Sequence, residues 1–256
     1  MSEDDREEVP VDEVPVDEVP VEQVPVKKVP VDEVPVEQVP AEQVPVEQVP
    51  VDEVPVLAER SGLDRYLEDT GVVDWQTPVV YDKARKLLGP GASTEDRIRA
   101  AYEFVRDDIQ DCLAEGHASE AVPCTASQVL REGAGLSYAR CHLLAALLRA
   151  QGIPVGFGYQ RLVDPGCPSG YALHGWAAAW LADPQRWLPL DPAGRSEGGA
   201  LAFRLDPPHF AHRPDPEAGE MHFPTLYARP ARTVVDLLEK AETLTRIRPY
   251  LPNALP

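Results

Sequence analysis

Helix-forming segments followed by strand-forming segments predict an α+β domain, helices packed on an antiparallel sheet, behind a disordered repeat tail. Three observations carry this. Apolar residues recur at helical spacing from about residue 60 to 150, the period changes to two after Pro154, and the first 56 residues contain proline at every fifth position.

The tail comes first. From Val9 a Val-Pro-Val-acid-Glu/Gln pentapeptide repeats, with prolines at 10, 15, 20, 25, 30, 35, 40, 45, 50 and 55. Each proline lacks an N–H and biases its predecessor to extended geometry, so neither a continuous helix nor a central strand fits. An extended, polyproline-II-rich segment is expected over residues 1–56, with the folded domain over 57–256.

Within the domain, Tyr81, Ala84, Leu87 and Leu88 keep helical spacing before Gly89-Pro90-Gly91. Ser93-Thr94-Glu95-Asp96 offers a cap and negative charge for the next helix, whose buried stripe is Ile98, Ala101, Tyr102 and Val105. Thr125 and Gln128 have capping-box spacing, with Val129 and Leu130 inward. A longer helix is expected from Leu136 to Ala150, stopped by Gly152 and Pro154. Val155, Phe157 and Tyr159 then alternate as in a strand. His174, Trp176, Ala178 and Trp180 share one face of the next, and Trp187–Leu190 forms a short third. Residues 192–230 show little periodicity, and a final helix is expected from Ala231 to Leu244.

Charge limits the partners. The chain carries −19 in all; residues 1–56 hold 17 acids against 3 bases, a net of −14, which leaves −5 for the other 200 residues. A basic nucleic-acid footprint is absent, so no nucleic-acid partner is expected. No apolar run has the length of a bilayer span and the acidic start shows no signal-peptide pattern, so the expectation is no membrane association and a cytoplasmic location. The tail reads as a solvating spacer or, more sharply, as a docking arm presenting repeated Val-Pro-Val epitopes to a protein partner. Cys112, Cys124, Cys141 and Cys167 form no C-x-x-C pair and are expected to be reduced thiols. His209 and His212 have a loose H-x-x-H spacing without a third ligand type beside them, and no acidic loop has calcium-site spacing; no metal and no cofactor are expected.

The stretch Gly135-Leu136-Ser137-Tyr138-Ala139-Arg140-Cys141-His142 runs into Leu143–Ala150 and Gly152-Ile153-Pro154. It is followed by the Gly158–Leu162 strand, His174-Gly175-Trp176 and a Trp-Leu-Pro-Leu-Asp ending at Asp191. This order resembles the core of the transglutaminase-like (transglutaminase/protease-like) superfamily, in a bacterial branch, over roughly residues 74–195. The resemblance implies a papain-like core and Cys/His/Asp chemistry on amide or ester bonds. Counted back from Gly-Ile-Pro, it places the nucleophile at Ser137, the base at His174 and the orienting carboxylate at Asp191. In that branch the motif reads Cys-Tyr-Ala-Lys-Ser-His; here it reads Ser137-Tyr138-Ala139-Arg140-Cys141-His142, with cysteine and serine exchanged.

Physics gives such a site its sense. The first turn of a helix carries unpaired N–H groups and partial positive charge, which lower a thiol pKa and can hold an oxyanion. A hydroxyl is far less acidic, so Ser137 needs His174 as a full general base. Cys141, one turn further along, is either an alternative nucleophile or a small buried residue under the site. The competing expectations are an acyl hydrolase or acyltransferase acting on a peptide or on an amide- or ester-containing small molecule, a pseudoenzyme binding module, and a tail that carries the function while the domain anchors it.

Overall fold

The computed structural model describes residues 57–58, 62–87, 91–114, 117–193, 195–196, 199–200, 202–205, 210 and 212–255. The repeat tail, the Gly89-Pro90 stop and His209 lie outside the described residues. The described elements all belong to the unit Val46–Pro256.

Five helices are described: α1 Pro78–Leu87, α2 Thr94–Asp108, α3 Ala126–Glu132, α4 Ser137–Arg149 and α5 Arg232–Lys240. Their starts follow from local chemistry. Pro78 is the first residue of α1, where its missing N–H costs nothing. Ser93 Oγ accepts the Asp96 N–H at 3.1 Å and its hydroxyl donates to the Asp96 carboxylate at 2.7 Å. At α3 both halves of the capping box form: Thr125 Oγ1 accepts the Gln128 N–H at 3.2 Å, and Gln128 Oε1 accepts the Thr125 N–H at 3.0 Å. Gly133 closes α3 with φ of 65°, a conformation that only glycine adopts without strain.

The main sheet consists of β1 Val155–Val163, β2 Tyr171–Leu181, β3 Arg186–Leu190 and β4 Met221–His222, in the order β3-β2-β1-β4 and antiparallel throughout. One face, with Phe157, Tyr159, Leu173, Ala177 and Ala179, packs in the main core with the helices. The opposite face puts Trp176 and Ala178 into a second cluster with Tyr66, Leu226 and Ala228. Helix α4 packs against α1, α2 and α3 as well as β1 and β2, so twelve of its thirteen residues are buried. Arg149 is buried among them because its guanidinium donates to the carbonyls of Glu68, Val155 and Ala228 at 2.8, 2.7 and 2.6 Å.

The α+β class and the helices-on-sheet layout agree with the sequence. Two extents differ. Helix α5 ends at Lys240, and Leu244 instead enters a separate 3₁₀ turn, Leu244–Arg246, where it is buried in the core. The stretch read as irregular supplies the edge strand β4, and Tyr227 exchanges backbone hydrogen bonds with Phe157 at 2.8 and 2.9 Å. Two-residue strands are too short to show a period, so nothing in that stretch announced them.

Candidate active site

The chain enters α4 from a short parallel pairing of Gln110–Asp111 with Ala134–Gly135. Leu136 is the N-cap residue, extended, and makes no side-chain cap. The first-turn N–H groups of α4 are therefore not consumed by a capping side chain, which leaves the helix's partial positive charge at Ser137. Ser137, the first helical residue, is half-buried.

Strand β2 comes very close to this helix start. A Cβ at Gly175 would stand 3.0 Å from Tyr138 Cδ1 and 3.3 Å from Tyr138 Cα, so a larger residue would separate strand from helix. The Tyr138 hydroxyl donates to the Leu173 carbonyl and fastens the two elements. In this tight junction the Gly175 N–H donates to Ser137 Oγ at 3.3 Å, putting the hydroxyl against the residue that follows His174.

His174 and Asp191 meet from adjacent strands, Asp191 directly following β3. His174 Nε2 lies 3.0 Å from Asp191 Oδ2; the histidine side chain is 18% exposed and the aspartate fully buried. A carboxylate only accepts, so Nε2 carries the proton and Nδ1 is left with the lone pair. Burial opposes the imidazolium most strongly, but the Asp191 carboxylate, through charge and hydrogen bond, outweighs it and raises His174 above its ordinary pKa. The carboxylate is itself fixed: Oδ1 accepts the Ala193 N–H at 3.1 Å, and the Asp191 carbonyl accepts the Tyr102 hydroxyl at 3.3 Å.

Cys141 has a different environment. It is 1% exposed, and burial, followed by the charge of Asp191, pushes its thiol well above the usual cysteine range. All four cysteines are unbridged and buried. His142, next in the motif, donates from Nδ1 to the Cys124 carbonyl at 2.8 Å, and burial holds its pKa to about 4. Arg140 donates to the carbonyls of Val105 and Arg106 at 3.0 and 3.1 Å and ties α4 to the end of α2.

The sequence points to Ser137, His174, Asp191 and Cys141; it does not point to their supports. Gly175 and the Tyr102 hydroxyl act through tertiary contacts that no local motif encodes. Gln160 is fully buried directly opposite His174 on β1, and its Nε2 lies 3.1 and 3.2 Å from the ring nitrogens of His222. Burial, then the charge of His174, lowers His222 to about 4. The period-two pattern of β1 was the available signal for Gln160; the row with His222 required the edge strand. His212 bonds Glu220 at 2.8 Å, and among the described residues no group of three or more His, Cys, Asp or Glu side chains is arranged to hold a metal ion.

A helix N-terminus bearing Ser137, a strand bearing His174 and a buried Asp191 just past the neighbouring strand form an α+β core in the order that the sequence resemblance implies. Residues 81–192 match the family described as the Transglutaminase-like superfamily. Comparison with curated proteins gives no match.

Among solved structures the chain is similar to a candidate cysteine protease from Cytophaga hutchinsonii, at 16% identity and TM-score 0.43, covering 67% of this chain and 55% of that one. It is also similar to red sea bream transglutaminase, at 14% identity and TM-score 0.44, covering 61% and 35%. The periplasmic domain of TgpA from Pseudomonas aeruginosa matches at 21% identity and TM-score 0.37, covering 51% and 46%. The chain thus spans about half or less of the length of each.

Proposed function

We propose that the domain is an acyl-transfer site acting on amide or ester carbonyls, with Ser137 as nucleophile, His174 as general base and acid, and Asp191 as the group that orients and charges the base. The observation that carries this reading is the His174–Asp191 pair at 3.0 Å, its carboxylate fully buried, beside the uncapped start of α4. A buried carboxylate with one oxygen on an imidazole edge favours a charged imidazole, as a base is in mid-reaction.

The step balances within these residues. Ser137 Oγ attacks the carbonyl carbon as its proton passes to His174 Nδ1, and the oxyanion faces the first-turn N–H groups of α4. The imidazolium returns the proton to the departing amine or alcohol, leaving an acyl-serine. Water or an amine then enters by the reverse sequence, with His174 taking its proton. Cys141 takes no part in this scheme: its thiol is buried and held protonated, and a thiolate there would stand near Asp191 without access to substrate.

A second reading is favoured by one contact. Ser137 Oγ accepts the Gly175 N–H, a contact that would hold the hydroxyl in a binding module without the chemistry. Turnover of para-nitrophenyl acetate and of a para-nitroanilide by wild type and His174→Ala separates the two. The acyl-transfer reading expects release by wild type to fall to the background rate in His174→Ala with the fold intact by circular dichroism. Equal rates in both proteins would overturn it.

A further inference from the structure

A cleft of about 240 Å³ lies at the start of α5, made by residues that the acyl-transfer scheme leaves unused. Arg65, Arg229 and Arg232 line it together with Tyr227, over the apolar surface of Ala231 and Leu255, and no carboxylate is among its described lining residues.

The charges around it do not cancel among the described residues. Arg65 and Arg229 share one carboxylate, Glu68, at 3.1 and 2.8 Å. Buried Arg149 donates to the Glu68 carbonyl and adds a third positive charge to that group. Arg232 pairs with Asp236 at 2.5 Å, and Asp236 is shared again with Lys240 at 3.3 Å. Among the lining residues, three arginines therefore answer two carboxylates, both of them shared with further cations. The response of Glu68 agrees: the hydrogen bond from Arg229, then the charges of Arg229, Arg65 and Arg149, lower its pKa despite the opposing effect of burial. Ala231 has no side chain able to cap α5, so the positive end of the helix adds to the same excess.

We propose that this cleft binds a small organic anion, a carboxylate or phosphate group on a compact apolar body, held by Arg65, Arg229 and Arg232 with the apolar part against Ala231 and Leu255. Guanidinium pairs suit both headgroups because two parallel N–H donors match two oxygens of either. The site is independent of the acyl-transfer reading.

Isothermal titration of the full chain with inorganic phosphate at low ionic strength tests it. Saturable binding is expected, weakened about five-fold by each of Arg229→Ala and Arg232→Ala, only partly restored by the lysine replacements, and lost as salt is added. Arg232→Glu, at an 80% exposed side chain, provides a variant whose folding is not at risk and should abolish binding. Binding should be unchanged in His174→Ala. Competition by acetate would support the site and assign it to carboxylates, while competition by methyl phosphate alone would support it and assign it to phosphate esters. No saturable binding, or binding indifferent to Arg232→Glu and to the combined Arg229→Ala and Arg232→Ala variant, would overturn the proposal.

Discussion

At the scale of single residues, the exchange of serine and cysteine in the motif separates two positions whose environments could hardly differ more. Ser137 stands at an uncapped helix start; Cys141 is sealed one turn deeper. Placing sulfur at the first position should therefore reveal what the helix end does. In Ser137→Cys, iodoacetamide labelling is expected to follow a thiol pKa below about 8.5, the value of a free cysteine. Labelling of Cys141 should require unfolding; fast native labelling of Cys141 would contradict the burial argument. His174 gives a second residue-scale prediction. Its folded pKa is raised, so the stabilisation from its pairing with Asp191 is fully present below the unfolded pKa and is lost as pH rises through the folded one. Asp191→Asn removes the charge, and NMR titration of the imidazole should then show His174 titrating lower than in wild type. An unchanged titration would mean the carboxylate does not set the imidazole. His142 has the opposite sign. With its pKa held to about 4, the folded state resists protonation, so stability is present above the unfolded pKa and falls as pH drops toward 4. Between pH 7 and 4.5 this one group should cost about 2 kcal/mol by urea unfolding, and His142→Asn should flatten that slope.

At the scale of elements, the site is a junction between the start of α4 and β2, and two glycines set its tolerance. At Gly175 a Cβ would press on Tyr138 at 3.0 Å. At Gly158 it would fall 2.1 Å from Trp176 Cε2, inside the indole itself, which lies across the strand there. Gly158→Ala should therefore be the more destabilising, by about 3 kcal/mol or more, and Gly175→Ala by about 1–2 kcal/mol, as overpacking of a closed interface costs. Thermal unfolding of both variants checks the order, and a neutral Gly158→Ala would contradict the packing. Helix caps, the buried stripe of α2 and the alternation of β1 and β2 were legible in the sequence because each rests on chemistry within four residues. The capping box at Thr125 and the stripe Ile98, Ala101, Tyr102 and Val105 appear as read. What joins elements was not legible. Gly175 donating to Ser137, Tyr102 holding Asp191 and Gln160 meeting His222 span 38, 89 and 62 residues, and no local pattern encodes such separations. The end of α5 escaped the sequence pattern for the same reason, since Leu244 answers to the core rather than to helix periodicity.

At the scale of the whole chain, charge and chemistry belong to different segments. Residues 1–56 carry −14 of the total −19, while the described site lies wholly between Tyr102 and His222. If residues 57–256 form the folded domain, removing 1–56 should leave the urea midpoint of unfolding unchanged and shift only the net charge; a fall in that midpoint would move the boundary. Among the described residues no helix is long and apolar enough to cross a membrane. Whether the hydroxyl of Ser137 reacts decides between an acyl-transfer site and a non-catalytic domain. Labelling of the native chain with a fluorophosphonate, read residue by residue through peptide mass spectrometry, tests that most directly. An adduct on Ser137 that disappears in His174→Ala is the result expected of a serine acyl-transfer site. A native chain whose Ser137 stays unmodified under conditions that label a control serine hydrolase would contradict it.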